Sequence, residues 1–420
     1  MMKIYFKQAW QMLKENPLVS LISVLGTALS IAMILVIVLV FQINNSGYAP
    51  ESLRSRMLYV DGINAKAENS QNNSSISAEV IKACFYSLKT PMAVTAMYKG
   101  WETRPVSLPS KRLFREYAIS YTDHAFWEIF DFTFLYGKPF TQADFESAIP
   151  RVVITSEVAA RLLGKVDAVG QTVIIDDSPY TVAGVVKPVS KAARTAYAEI
   201  WAPYSTNAVV MSRFPYCGGC GYLQAVMLAH SSGDFEQIND ELNRQLEQYN
   251  AGQSGVVYRF PSGALTHLET VTGSNSWHKK PVSDYFLQTG LLLLFLLLVP
   301  ALNLTGVIQS SVRKRRGEIG IRKSFGATSG ILVRQILYEN LLTTLIGGIC
   351  GLVLALALLP VCKSFMLYDS TMQITFDMLF KPGLFAAATV FVLVLNLLSA
   401  GIPAVLISRQ NIVDAINDSE

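Results

Sequence analysis

The clearest pattern along the chain is a set of long apolar runs separated by mixed sequence. The first runs from Leu18 to Ile43 and the second from Tyr285 to Val312. The third begins near Gln335 and reaches about Cys362, and the fourth covers Leu384 to Ser408. Each is long enough to span a bilayer as a helix, which takes about 20 mostly apolar residues. The first, second and fourth hold no Asp, Glu, Lys, Arg or His, and the third carries Glu339 near its start. A polar translocation path usually recruits ionisable groups facing a watery cavity, so their absence predicts helices that move as rigid levers. At 1.5 Å per residue the second run would be about 42 Å long, more than the roughly 30 Å hydrocarbon core.

Between the first two runs, residues 44–284 alternate apolar and polar positions in the manner of a folded domain. "MLYVDGI" (57–63), "GYLQAVMLAH" (221–230) and "VVYRF" (256–260) read as strands. Ser77 is positioned to cap a helix over 77–89. Phe235, Ile238, Leu242 and Leu246 fall on one stripe of a helix over about 234–249. The segment 151–186 predicts strand, short helix, turn and hairpin, with Asp176-Asp177-Ser178-Pro179 as the hairpin turn. Residues Asn69–Ser75 read as a polar loop. Two β-α-β-like halves are thus expected to flank a strand-rich middle section.

Composition changes the picture only by confirming the class. Hydrophobic residues make up 51% of the 420 and charged residues 16%, against roughly 25% charged in a soluble domain. The net charge of +4 is small, and no basic stripe interleaved with aromatics suggests nucleic acid. The first run is too long for a signal-peptide core, and "FQINNSGYAP" offers no cleavage site. Lys3, Lys7 and Lys14 precede it, six bases lie between 313 and 323, and Arg409 follows the fourth run. Lys363 and Lys381 in the third-to-fourth loop are balanced by Asp369 and Asp377. This asymmetry predicts both termini in the cytoplasm and residues 44–284 outside. Within "KIYFKQAWQMLK", Ile4, Phe6, Trp10 and Leu13 among lysines predict an amphipathic helix lying in the interface.

Catalytic chemistry has little footing. The chain lacks a G-x-x-x-x-G-K-[ST] phosphate loop, an H-E-x-x-H and a G-x-S-x-G. His124, His230, His267 and His278 are scattered without metal-ligand spacing. Cys217-Gly218-Gly219-Cys220 is compatible with a structural disulfide closing a glycine turn, with free thiols, or with redox or metal chemistry. Cys350 and Cys362 sit in or beside the third run. Gly347-Gly348-Ile349-Cys350-Gly351 offers Gly347 and Gly351 for close helix approach, either within the chain or between copies.

The densest charge lies in "SSVRKRRGEIGIRKSFGATSG" (310–330), where Arg313, Lys314, Arg315, Arg316, Arg322 and Lys323 surround the single acid Glu318. Ile319, Ile321 and Phe325 alternate with these charges. The residues alone support two readings: a topogenic cluster that only sets orientation, or a short amphipathic helix that docks in a groove on another protein.

The longer stretch "RRGEIGIRKSFGATSGILVRQILYENLLTTLIGGICGLVLA" resembles the signature of FtsX-type permeases, and the whole architecture resembles the MacB branch of ABC transporters. Glu318, Ile319, Gly320, Arg322, Lys323, Gly326 and Ala327 fall on the motif, as do Glu339 and, late in the second run, Asn303. Gly317 departs from it, since members usually carry arginine there. "YTDHAFWEIFDFTFLYGKPFTQADF" and the 151–186 segment are similar to the MacB-type periplasmic core, and "ISRQNIVDAINDSE" resembles the family's C-terminal tail. The Cys217–Cys220 turn lies outside that pattern.

The resemblance implies an α+β membrane protein with four transmembrane helices. A large MacB-like extracytoplasmic core, porter-like with an inserted strand-rich subdomain at about 113–200, would lie between helices 1 and 2. The expected divisions are an interfacial helix (1–17), helix 1 (18–43), the external core (44–284) and helix 2 (285–312). A cytoplasmic coupling loop (313–330), helix 3 (331–362), an external loop (363–383), helix 4 (384–408) and a cytoplasmic tail (409–420) follow, with an FtsX-like permease domain at about 285–413. The implied role is a non-catalytic permease subunit of the bacterial inner membrane, working with a separate ABC ATPase that carries ATP and Mg. Glu318, Ile319, Gly320, Arg322, Lys323, Phe325 and Gly326 would contact that ATPase. A second permease chain, membrane lipid and a periplasmic adaptor are the other implied partners. The alternative is a membrane-anchored sensor or an FtsX-like regulator of an extracytoplasmic cell-wall hydrolase.

Overall fold

The structure, a computed structural model, describes residues 17–110, 114–215, 217–296, 330, 338, 341 and 345–358. Two compact units divide the chain: Asn44–Tyr285, and the sequence on either side of it.

In the flanking unit, helix α1 (Pro17–Asn45) opens with proline, whose missing N–H costs nothing at a first helical position. Its Val24–Asn45 portion is long and apolar enough to cross a membrane, the one such helix among the described residues. Shorter apolar helices cover Val282–Leu296 and Leu345–Leu358. Ile31, Ala32, Leu35 and Val36 of α1 pack with Ala355. A Cβ on Gly351 would lie 2.8 Å from the Ala28 carbonyl and one on Gly347 3.0 Å from Thr27. Both glycines therefore permit close approach to α1 within the chain.

The Asn44–Tyr285 unit is built on a ten-stranded mixed sheet. Its strands are β1 (Met57–Val60), β4 (Ala93–Ser107), β5 (Phe114–Thr122), β6 (Phe134–Gly137), β7 (Arg151–Thr155), β8 (Thr172–Ile175), β9 (Ser178–Val186), β10 (Ile200–Pro203), β12 (Gln224–Leu228) and β14 (Leu265–Thr266). The order is β14-β1-β12-β4-β5-β10-β7-β9-β6, with β8 paired to β4 and β9. β10 runs parallel to β5, and β7 parallel to β9. A second sheet has the order β11-β3-β2-β13, from β2 (Ile63–Ala67), β3 (Ser70–Ile76), β11 (Cys220–Gly221) and β13 (Val256–Arg259).

Both faces of the main sheet are covered, which explains its unbroken apolar strands. Alternate side chains feed two cores. Leu58, Val60, Val152, Ile154, Ile200 and Ala202 enter one of them. Met57, Tyr59, Val153 and Trp201 enter the other, with Phe126, Phe130 and Phe140. The strands β5, β6, β7, β8, β9 and β10 of the middle section continue the sheet begun by β1, β12 and β4.

Local expectations fare unevenly. Helix α2 (Ser156–Leu163) is capped by Thr155 and ends at Gly164, whose φ of 72° is left-handed. Helix α3 (Phe235–Ala251) buries Ile238, Leu242 and Leu246. The hairpin turn is tighter than expected. Asp176 and Asp177 alone take positive φ, while Ser178 and Pro179 already pair within β9. The helix predicted over 77–89 is shorter: Ser77 caps Ala78–Val80, and a single π-turn (Ile81–Phe85) ends it. Beyond it, the N–H groups of Lys89 and Thr90 donate to the Glu241 carboxylate at 2.8 and 3.0 Å instead of extending the helix. The Asn69–Ser75 loop expectation is wrong, because Ser70–Ile76 is a strand, paired with β2 over Ser70–Ser74 and with β11 at Ser75 and Ile76. Only Ile76 of β3 is buried, so the polar sequence reported exposure rather than backbone conformation.

Candidate functional site

The residues assigned to ATPase contact, Glu318, Ile319, Gly320, Arg322, Lys323, Phe325 and Gly326, lie outside the described residues. So do Asn303, Glu339, the interfacial helix, the fourth apolar run and the tail. Three constellations in the Asn44–Tyr285 unit can be built in atomic detail.

The first is the Cys217–Cys220 disulfide, with Cα atoms 5.2 Å apart. Both cysteines are buried. The pair leads into β11 and not into a helix N-terminus, which the redox reading would require. The Gly219 N–H donates to the Tyr258 hydroxyl at 3.1 Å, and the Gly219 carbonyl accepts from Ser77 N–H at 3.0 Å. A Cβ on Gly219 would fall 2.5 Å from the Tyr258 ring. Glycine is required by this contact.

The second is centred on Asp123, which is buried at the end of β5. Its carboxylate accepts from the Thr95 and Tyr86 hydroxyls, from Ala96 N–H at 2.8 Å and from Phe126 N–H at 3.0 Å. Tyr86 in turn contacts the Tyr204 hydroxyl at 3.0 Å. Burial pushes the Asp123 pKa up, opposed by the Thr95, Tyr86 and Ala96 hydrogen bonds and by His124. The carboxylate is buried and accepts four hydrogen bonds, two at each oxygen. Its geometry is that of a clamp joining β4, β5 and the segment after β10.

The third lies where α1 ends, and its residues all belong to the Asn44–Tyr285 unit. Glu51 and Arg54 form an ion pair at 2.6 Å with side-chain exposures of 0% and 1%. Arg54 Nη1 donates to the Asn44 and Ser46 carbonyls at 3.2 and 2.7 Å, and Nη2 to the Ala192 carbonyl at 2.8 Å and the Tyr48 hydroxyl at 3.2 Å. The guanidinium also sits 4.4 Å from the centre of the Tyr48 ring. Glu51 Oε1 accepts from Thr195 and Ala196 N–H at 2.9 and 2.8 Å. Burial works against the Arg54 charge, but Glu51 and Tyr48 hold its pKa above the usual value. Burial likewise pushes Tyr48 up to about 12. None of this cluster stands out in the sequence. Its one local trace is the i, i+3 spacing of Glu51 and Arg54 soon after an apolar run.

His267 completes the third cluster, its Nε2 lying 2.8 Å from the Asn44 carbonyl. The carbonyl can only accept, so this nitrogen carries hydrogen. Burial lowers the His267 pKa and Arg54 adds to the effect, while the Asn44 bond opposes it. The unfolded chain, with histidine near its ordinary 6.5, therefore binds a proton first as pH falls. This contribution to stability is intact above that value and declines as pH drops through it. The urea midpoint is expected to fall between about pH 7.5 and about pH 5.5 by more in the wild type than in His267→Gln. Equal slopes would show that His267 is not the titrating group. His124, His230 and His278 join no metal-type cluster, and no group of three His, Cys, Asp or Glu suited to a metal occurs among the described residues.

Comparison with known proteins places the chain. It is 25% identical over 279 residues to the pyoverdine export ATP-binding/permease protein PvdT of Pseudomonas aeruginosa, covering 66% of this chain and 39% of that protein. It is 27% identical over 293 residues to the macrolide export ATP-binding/permease protein MacB 1 of Yersinia pestis, covering 69% and 42%. The chain thus spans about two-fifths of the length of these curated relatives. Among solved structures, the extracellular domain of the noncanonic ABC-type transporter YknZ from Gram-positive bacteria aligns over 47% of this chain and 99% of that one, at 17% identity and a TM-score of 0.34. The FtsX-like permease C-terminal model matches residues 290–412. The MacB-like periplasmic core domain model matches residues 20–245, more than half of the chain, and the chain therefore belongs to the MacB/FtsX family of ABC transporter permeases.

Proposed function

We propose that this permease couples ATP hydrolysis on a separate nucleotide-binding subunit to movement of its external unit, in export or extraction of a substrate. The observation that carries the reading is the order of the two family matches. The MacB-like core domain comes first and the FtsX-like segment, with the Glu318 motif inside it, follows. Relatives named for export of pyoverdine and of a macrolide support the outward direction. ATP and Mg would be held by the partner ATPase. Four spans with both termini cytoplasmic follow from the charge asymmetry at the run boundaries. Two permease chains per complex follow from the two nucleotide-binding subunits of an ABC assembly. The spans act as levers: α1 carries no Asp, Glu, Lys, Arg or His from Leu18 to Ile43, so a hydrated substrate path finds no polar lining there.

One membrane preparation tests both topology and coupling, with Cys350 and Cys362 replaced by serine. A membrane-impermeant maleimide should reach Ser178→Cys and Thr328→Cys from opposite faces. Labelling of both from one face would overturn the topology. Distances between spin labels on the external units of two copies should shift when ATP is added with the ATPase. An unchanged distance, or substrate crosslinks along the spans, would favour a conventional path between the helices.

A further inference from the structure

Eleven residues, 46–56, separate the end of α1 at Asn45 from the start of β1 at Met57. As a flexible tether, a segment of that length has a mean end-to-end span of roughly 17–20 Å. Such slack would absorb a displacement of one helical turn, about 5.4 Å. The chain has no such slack here, because Arg54 gathers the segment into one knot.

We propose that Arg54, seated on Glu51, is the positioning residue through which displacement of α1 reaches the external sheet. This rests on the lever reading given above. Three strands converge on the carbonyls at the end of α1. Arg54 itself opens the short 3-10 turn Arg54–Arg56 that runs straight into β1. Through the Ala192 carbonyl, and through Glu51 to Thr195 and Ala196, the pair grips the loop leading to β10. His267, directly after β14, shares the Asn44 carbonyl with Arg54. A push on Asn44 therefore reaches β1, β14 and the segment that leads into β10 through side-chain hydrogen bonds.

The chemistry explains why arginine is used. Only a planar guanidinium offers five donors in a fixed fork, enough to meet a carboxylate, a hydroxyl and three carbonyls at once. A lysine at this position would keep the Glu51 partner and lose the simultaneous hold on the carbonyls. Stability alone is a poor reason for the pair, because well-packed apolar residues commonly replace a fully buried ion pair without loss. What a buried pair supplies in addition is one defined arrangement of the segments it joins.

The test uses the full chain reconstituted with its ATPase, and spin labels at the exposed Gln71 of two copies. Three proteins are compared: wild type, Arg54→Lys, and the double variant Glu51→Gln/Arg54→Met, in which the residue 51 amide oxygen still accepts from Thr195 and Ala196. A second label pair within one external unit, at Gln71 and Gln237, reports whether that unit keeps its shape. The expected result is loss of the ATP-dependent shift between copies in both variants, with ATP hydrolysis continuing and the Gln71–Gln237 distribution unchanged. Variants that retain the full shift would overturn the assignment. A broadened Gln71–Gln237 distribution in both variants would also overturn it, by making Arg54 a folding residue only. A wild-type protein with no shift at all would instead remove the lever reading, and the assignment with it.

Discussion

Reversal of charge at Glu318, as Glu318→Lys, is expected to uncouple ATP hydrolysis from movement of the external unit while leaving expression and membrane insertion intact. Glu318 is the single acid among six bases between Arg313 and Lys323. In the docking reading of this stretch, Ile319 and Phe325 form the apolar side of the segment and Glu318 meets the groove of the partner ATPase. On that reading, a lysine there would set like charge against the cationic group that Glu318 pairs with and leave that group without its partner. Central interface residues of this kind carry about 2 kcal/mol or more. The ATPase should then bind roughly 30-fold more weakly. Insertion is spared because the substitution adds to the positive charge of a loop predicted to be cytoplasmic. Co-purification of the ATPase and the ATP-dependent distance shift are the measurements. A variant that couples normally would reduce the loop to a topogenic signal.

A second large effect is expected at Asp123, in stability. Asp123→Leu removes an acceptor used by four donors, the Thr95 and Tyr86 hydroxyls and the N–H groups of Ala96 and Phe126. The site is closed to solvent, so water does not replace the lost partner. Hydrogen bonds to a charged group contribute about 1.5–3 kcal/mol each, offset in part by relief from burying the charge. A net loss of about 4 kcal/mol follows, which for a unit of this size lowers the thermal midpoint by about 10 °C. Asp123→Asn should also destabilise, because its amide would turn a donor towards groups that are themselves donors. Emission from Trp127 and Trp201, packed in the neighbouring aromatic cluster, reports the transition. A wild-type midpoint in Asp123→Leu would mean that the carboxylate is not a clamp. Its effect differs in kind from that of Glu318: the fold weakens whether or not ATP is present.

How much was legible beforehand divides by the range of the interactions involved. The apolar run of α1, the Ser77 cap and the Ile238, Leu242, Leu246 stripe express preferences within a few residues, and each is readable in the chain. The 77–89 helix ends early at Phe85, and past that end the N–H of Lys89 meets Glu241, 152 residues away, a partner that no local pattern announces. Likewise Ser70–Ile76 became a strand through its pairing with β2 and, at its end, with β11. A polar strand and a polar loop share one composition. Gly347 and Gly351 announced close packing, but only the contact with Thr27, Ala28 and Ile31 says which helix they meet.

By itself, the sequence determined the family and the folded region that follows the first apolar run. Hydropathy and short motifs are properties of neighbouring residues and survive without coordinates. Tertiary structure decided that one continuous sheet joins the middle section to its flanks, and that Asp123 is a clamp. It also decided that Arg54 ends within 2.8 Å of a carbonyl 138 residues away. Those outcomes depend on which distant donors and acceptors meet once water is excluded. A buried charge is tolerable only where the fold has already brought its partners together, and that requirement leaves almost no trace in the order of the residues.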